Sequence, residues 1–182
     1  MESKKLLRAH MREIEKAFLA SGKAAGDSSV VLSSLERDSR FVSAGCVLMY
    51  MSIPGEVDTA DFIARWHGSK RIVIPRVAGE DLELFEYDPD RLVPGYLGIL
   101  EPSDDAVRVD PSEIELALIP GVAFSRLPDG RVLRMGHGKG FYDRLLPQLS
   151  CPKLGICFGF RVFSEIPSDA WDVPLDGLLF GE

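Results

Sequence analysis

The densest run of reactive side chains is Arg134-Met-Gly-His-Gly-Lys-Gly-Phe-Tyr-Asp-Arg144. Gly136, Gly138 and Gly140 stand at alternate positions. Backbone N–H groups can therefore converge on one anion without Cβ atoms in the way. A helix starting near Gly140 would add its positive N-terminal end. Arg134 offers a forked cation and Lys139 a mobile one, as a polyphosphate requires. Composition favours this reading over the alternative, a flexible glycine turn beside an amphipathic helix. The run is not a P-loop, since no Gly-x-x-x-x-Gly-Lys-Ser/Thr occurs. Nor is it a dinucleotide fingerprint, because the third required glycine falls on Phe141.

Lys4, Arg8, Arg12 and Lys16 recur every fourth residue and form one basic stripe on a helix. Such like-charge pairs cost a few tenths of a kcal/mol each, which is consistent with an anion bound there. On charge alone, a solvated face partly neutralised by Glu13 and Glu15 is the preferred reading. Within Ile53-Pro-Gly-Glu-Val-Asp-Thr59, Glu56 could accept paired hydrogen bonds from an amidine-like N–C–N edge of a heterocycle. Asp58 reads as a helix cap. Asp143 and Asp176 lie near element ends, and two carboxylates plus phosphate oxygens are a usual way to hold Mg²⁺. An isolated Asp is more often a cap or an ion-pair partner. Cys46 and Cys157 sit in apolar runs as small hydrophobes, and Cys151 has no activating neighbour in sequence. His10 and His67 fall on helices as surface residues, whereas His137 stands inside the glycine loop.

The framework follows from periodicity. Leu7, Met11, Ile14 and Phe18 repeat on one face of a helix from Lys4 to Ala20. Asp27, Ser28 or Ser29 can cap a second helix reaching to about Phe41. Cys46 to Met51 is a short apolar run of the kind buried on both faces. Asp58 or Thr59 caps a helix from Ala60 to His67, and Arg71 to Pro75 is the next buried strand. Leu82 to Tyr87 alternates, while Pro89 to Pro102 reads as turns and excursions. Glu115 to Pro120 is a third apolar strand, followed by a long loop carrying Gly130 and the glycine run. A short helix over Phe141 to Leu149 precedes strands at Lys153 to Phe158 and Gly177 to Phe180. This order predicts an α/β sandwich with a mainly parallel sheet. Ligands of such sheets sit at the carboxyl ends of the strands, so the loops after Met51, Pro75 and Pro120 should carry the chemistry.

Composition narrows the class. The chain has 182 residues, 46% apolar and 27% charged, which argues against disorder and against a membrane-resident class. At this size about 70% of the unfolded surface is buried, enough for a core without staples. Its net charge of −7 argues against bulk binding to nucleic acid or anionic membrane. An acidic chain with a phosphorylated ligand must concentrate its cations locally. No run approaches the roughly 20 apolar residues of a span, and the first residues contain no apolar leader. Three cysteines without a C-x-x-C pair fit neither a disulfide scaffold nor the usual zinc spacings. A cytoplasmic location is expected.

In order along the chain, these segments resemble the 5-formyltetrahydrofolate cyclo-ligase (methenyltetrahydrofolate synthetase) family. They are Lys4 to Arg8, Tyr50 to Thr59, Ile74-Pro-Arg76, Gly98 to Pro102, Ile119 to Phe124, Arg134 to Arg144 and Asp172-Val-Pro-Leu-Asp176. Each is weak alone, and the ordered set is specific. The resemblance covers residues 1–182 as one domain. It implies a three-layer α/β/α fold of the kind shared with sugar-phosphate isomerases and CoA transferases. By resemblance, Lys4, Arg8, Arg134 and Lys139 contact the phosphates of ATP, with Gly136, His137, Gly138, Gly140, Phe141, Tyr142 and Asp143 around them. Met51 and Glu56 correspond to folate contacts, and the loop from His137 to Phe141 lies between the two ligands. Asp143 and Asp176 correspond to the Mg²⁺-associated aspartates. The chain departs from the family in reading Met135 and His137 around Gly136, and in carrying two added residues between Gly130 and Arg134.

The implied reaction is ATP- and Mg²⁺-dependent closure of 5-formyltetrahydrofolate, with or without a polyglutamate tail, to 5,10-methenyltetrahydrofolate. The formyl oxygen takes the γ-phosphoryl group, the N-10 amine attacks the formyl carbon, and phosphate leaves. Such catalysis is mainly positioning and charge neutralisation, with Lys139 and Arg134 as the catalytic cations and no protein nucleophile. A non-catalytic nucleotide- or folate-binding relative and a sugar-phosphate isomerase are the alternatives. An isomerase needs an acid/base carboxylate and no nucleotide, so the two cation pairs favour ATP. No nucleic-acid or membrane partner is expected, and the chain is expected to be a monomer.

Overall fold

The computed structural model describes residues 3–95 and 98–181. Helix α1 (Lys4–Ala20) is capped by Ser3, whose hydroxyl accepts the Leu6 N–H, and α2 (Ala24–Arg37) and α3 (Ser39–Ser43) follow. Strand β1 (Cys46–Leu48) leads through an irregular segment to α4 (Ala60–Trp66), β2 (Arg71–Ala78) and β3 (Asp81–Glu86). A small hairpin, β4 (Leu92–Pro94) and β5 (Leu100–Pro102), precedes β6 (Leu116–Ile119). Then come β7 (Ala123–Arg126), β8 (Val132–Met135), α5 (Phe141–Leu145), β9 (Lys153–Phe158), β10 (Val162–Phe163) and β11 (Gly177–Gly181).

The main sheet runs β11-β9-β6-β1-β2-β3, parallel except for β3. Its central strands are continuous apolar runs because both faces are covered. Val47, Ile72, Ile74, Leu116, Leu118 and Ile156 face a core closed by Val31 and Leu35 of α2, Phe41 of α3, and Phe62 and Ile63 of α4. Cys46, Leu48, Val73, Ala117, Ile119 and Cys157 point the other way. There Phe124, Val132, Leu145 and Leu146 close a second core. The layer over this second face is thus mixed: α5 shares it with a three-stranded sheet, β10-β7-β8. Its strands β7 and β8 occupy the stretch after Pro120 expected to be loop. Its turn, Leu127-Pro-Asp-Gly130, closes with the Leu127 N–H donating to Arg131 and the Gly130 N–H to Leu127.

Two boundaries differ from the periodicity reading. The second helix stops at Arg37, and Asp38 takes the Arg40 N–H to cap a separate α3. Ser28 is not a cap: it is buried inside α2, and its hydroxyl accepts the Asp58 N–H. Asp58 does cap α4, accepting the Ala60 N–H at 3.2 Å, whereas Thr59 turns inward to the Tyr50 carbonyl. Helix α1 lies outside the main layers. Leu7 and Met11 are buried against Val122, Ala123, Met135 and Ile166, each contributing about 1.5–3 kcal/mol. This seat brings the first two turns of α1 to the glycine loop.

Candidate active site

A cleft of about 270 Å³ opens at the carboxyl ends of β1, β2 and β6, as the topology requires. Its walls include Met51 and Glu56 after β1, Pro75 and Val77 on β2, and Pro120 after β6. The loop from Gly136 to Gly140 and the start of α5 form another wall, and α1 contributes Lys4 and Arg8.

The glycine loop joins β8 to α5, with φ +97° at Gly138 and +73° at Gly140, values that side chains with a Cβ rarely adopt. It is tied on two sides. The Arg8 Nε donates to the Gly136 carbonyl at 2.8 Å. Arg144 donates from Nη2 to the Lys139 carbonyl at 3.2 Å and from Nε to Asp81 at 2.9 Å. The Lys139 side chain has no hydrogen-bond or ion-pair partner among the described residues, and His137 is likewise exposed at the mouth.

Arg134 is the buried cation of the cleft. It donates from Nη1 to the Pro120 carbonyl at 3.0 Å and from Nη2 to Asp143 at 3.1 Å, above the Tyr142 ring. Burial lowers its pKa, opposed mainly by Asp143. Lys4 reaches Asp169 and Asp172 at 2.7 Å each. Burial disfavours the ammonium, the two carboxylates outweigh it, and its pKa is raised.

The cleft also has an apolar lining of Met51, Ile53, Val77, Leu82, Ile99 and Phe141. Glu56 and Glu101 line the cleft with them, the Glu56 side chain being 9% exposed. One Glu56 oxygen accepts the Ile53 N–H at 3.2 Å, and the other lies 3.6 Å from His137 Nε2. Burial, followed by the Glu56 carboxylate, raises the phenols of Tyr50 and Tyr142 well above their ordinary value. Both remain protonated donors at neutral pH.

All but one of the residues that the resemblance assigns to ligands line this cleft. The exception is Asp176. It precedes β11 at the amino-terminal edge of the sheet, where its carboxylate accepts the Lys153 N–H at 2.8 Å. The cleft lies at the opposite edge, so Asp143 and Asp176 form no joint metal site. The carboxylate that does enter is Asp172, four residues earlier in the same segment. Asp143 and Asp172 each keep one oxygen without a hydrogen-bond partner among the described residues. No group of three or more His, Cys, Asp or Glu side chains among the described residues could enclose a metal. The donor set therefore fits a largely hydrated Mg²⁺ shared with phosphate oxygens, and not a protein cage.

The basic stripe divides. Lys4 and Arg8 enter the cleft, whereas Arg12 and Lys16 are exposed. The sequence reading also passed over Tyr50, Ile53, Val77, Leu82, Ile99, Glu101 and Asp172. Of these only Asp172 carried a usable signal, as the second carboxylate of the segment ending at Asp176. All three cysteines are buried free thiols, and burial pushes Cys157 up to about 12, so none is a ready nucleophile. No helix among the described residues is long and apolar enough to cross a membrane.

A sequence profile of the 5-formyltetrahydrofolate cyclo-ligase family matches residues 1–181. The 5-formyltetrahydrofolate cyclo-ligase of Escherichia coli K12 is 32% identical over 147 residues, covering 76% of this chain and 79% of that one. Its counterpart in Haemophilus influenzae is 28% identical over 189 residues, covering 99% and 98%. The solution structure of Aquifex aeolicus 5,10-methenyltetrahydrofolate synthetase superposes with a TM-score of 0.85 at 33% identity. That match covers 97% of this chain and 89% of the other.

Proposed function

This chain belongs to the 5-formyltetrahydrofolate cyclo-ligase family, and we propose that it cyclises 5-formyltetrahydrofolate to 5,10-methenyltetrahydrofolate using ATP and Mg²⁺. The observation that carries the reading is one cleft whose lining combines four cations with an apolar wall and a nearly buried carboxylate. Lys4, Arg8, Arg134 and Lys139 are the cations, and Glu56 is the carboxylate. A triphosphate suits the cations, and a pterin suits the apolar wall and Glu56. In a chain of net charge −7, four cations lining one cleft favour an anionic ligand.

In this reading Arg8 and Lys139 contact phosphate oxygens, and Lys139, on an exposed loop, follows the group in transfer. Arg134 is held from below by the Pro120 carbonyl and Asp143, so its charge is fixed before the ligand arrives. Asp143 and Asp172 would hold Mg²⁺, which when bound neutralises phosphate charge. Glu56 accepts from the amino-amidine edge of the pterin, and Met51, Ile53, Leu82 and Phe141 cover the ring. The γ-phosphoryl group moves from ATP to the formyl oxygen, which releases ADP and makes that oxygen a leaving group. The N-10 amine then bonds to the formyl carbon and gives up its proton, and phosphate departs with that oxygen. The protein supplies positioning and charge, and no covalent intermediate with a side chain is needed. The reading takes the protein as a cytoplasmic monomer.

The test is the rise in methenyltetrahydrofolate absorbance on mixing protein, Mg²⁺, ATP and 5-formyltetrahydrofolate. Product formation that requires ATP is expected. Binding of both ligands without product would leave a non-catalytic relative and sink the enzyme reading.

A further inference from the structure

Arg161 is 2% exposed and among the largest fully buried side chains, yet it does not line the cleft. It closes the turn after β9 and lies beside the Phe160 ring. Its Nη1 donates to the Val122 carbonyl at 3.0 Å; its Nη2 donates to Glu15 at 2.6 Å and to the Gly55 carbonyl at 2.7 Å. Each partner belongs to a segment that carries part of the site. Glu15 is on α1, the helix of Lys4 and Arg8. Gly55 directly precedes Glu56. Val122 follows Pro120, whose carbonyl anchors Arg134, and its own N–H donates to Met135 at the edge of the glycine loop. The contact between helix and loop is close: a Cβ on Gly55, at φ +93°, would stand 2.3 Å from the Glu15 carboxyl carbon.

The guanidinium is buried and its Glu15 partner is partly exposed, so the pair is a poor source of net stability, because desolvation offsets the attraction. It does discriminate among arrangements, since any shift that strands the buried charge is heavily penalised. Among the described residues the Arg161 Nε–H has no acceptor, so the guanidinium stands there despite an unsatisfied donor. A side chain kept at that cost, touching three site-bearing segments and no part of the cleft, is placed to hold those segments in register.

We infer that Arg161 is a positioning residue that fixes the Ile53–Glu56 turn against α1, and so sets the spacing between Glu56 and the Lys4/Arg8 pair. The ligands assigned to those residues rest on the functional reading above; the mechanical link does not. Hydrogen exchange and steady-state kinetics of Arg161→Gln and Glu15→Gln test both parts. In Arg161→Gln the amides of residues 53–57 should exchange about tenfold faster or more, with β6 and β9 unchanged. The KM for 5-formyltetrahydrofolate should rise about tenfold while kcat at saturation stays within about twofold. Glu15→Gln, which keeps the size and the two carbonyl contacts, should show the same pattern more weakly. It decides the matter if the arginine variant does not fold. Faster exchange spread evenly over the chain, or an unchanged KM beside a lowered Tm, would overturn the inference. A wild-type protein that makes no methenyltetrahydrofolate would sink only the functional reading, because the exchange comparison still decides the link.

Discussion

Two walls of the cleft, the glycine loop and the Ile53–Glu56 turn, are built in opposite ways. In the first, Lys139 stands without a partner among the described residues, on a loop whose backbone is held by Arg8 and Arg144. In the second, the Glu56 carboxylate is nearly buried and its turn is tied to Arg161. A mobile, solvated cation can follow charge as it moves between two oxygens. A buried carboxylate in a fixed loop can recognise a flat heterocycle, since an unmatched donor there costs its full desolvation. The division implies that mutations at the glycine loop and its anchors damage turnover or ATP binding, and those at the Glu56 turn damage folate affinity.

Lys139→Ala is the strongest way to break this division. Loss of one such charge should lower kcat by on the order of 10²–10³. The exposed side chain makes no hydrogen bond or ion pair among the described residues, so the change in stability should stay within about 0.5 kcal/mol. Rapid-mix kinetics and a melting curve check both, and unchanged turnover would remove the lysine from the chemistry. Glu56→Gln should raise the folate dissociation constant by roughly 5- to 150-fold, from about 1–3 kcal/mol of unmatched donor, with kcat largely kept. Direct titration with formylfolate in the absence of nucleotide measures it, and an unaltered constant would reduce Glu56 to a loop residue.

Arg8→Ala should weaken ATP about tenfold and folate less, because it removes a charged phosphate contact worth roughly 1.5 kcal/mol. Separate KM values decide, and a fall in folate affinity alone would assign α1 to the folate instead. The smallest effects sharpen the metal assignment. Asp172→Asn should raise the Mg²⁺ needed for half-maximal activity about fivefold, equivalent to about 1 kcal/mol. Asp176→Asn should leave that requirement alone and cost about 1 kcal/mol of stability, from the weakened bond to the Lys153 N–H. The reverse pattern in a Mg²⁺ titration would restore Asp176 to the site.

Much of the site was legible because its features are local. Gly138 and Gly140 announce positive φ by residue type, and the cations beside them announce an anion. The Leu7, Met11, Ile14, Phe18 period is a helix face whatever surrounds it, and the structure turns the first three towards the small sheet and Phe18 onto Phe158 and Phe160. The β7–β8 hairpin escapes the periodicity reading because its strands are four residues each and carry Arg126 and Arg134 among their apolar residues. The Pro128-Asp-Gly130 turn between two apolar pairs was its available signal. The apolar wall of Ile53, Val77, Leu82 and Ile99 left no trace, since an aliphatic residue lining a cleft is the same in sequence as one filling a core.

By itself, then, the sequence determined the parallel sheet, the side of it that binds ligands and the anion loop, because periodicity and φ preference act over a few residues. The choice of which charges join that loop was tertiary. Lys4 and Arg8 enter while Arg12 and Lys16 stay in solvent, because the seat of Leu7 and Met11 fixes how far α1 reaches. Asp172 enters and Asp176 does not, because Gly177 pairs with Leu154 and so leaves Asp176 at the head of the sheet, beside Lys153. Chain pairing and burial between distant segments decide such placements, and neither is encoded in the spacing of neighbours.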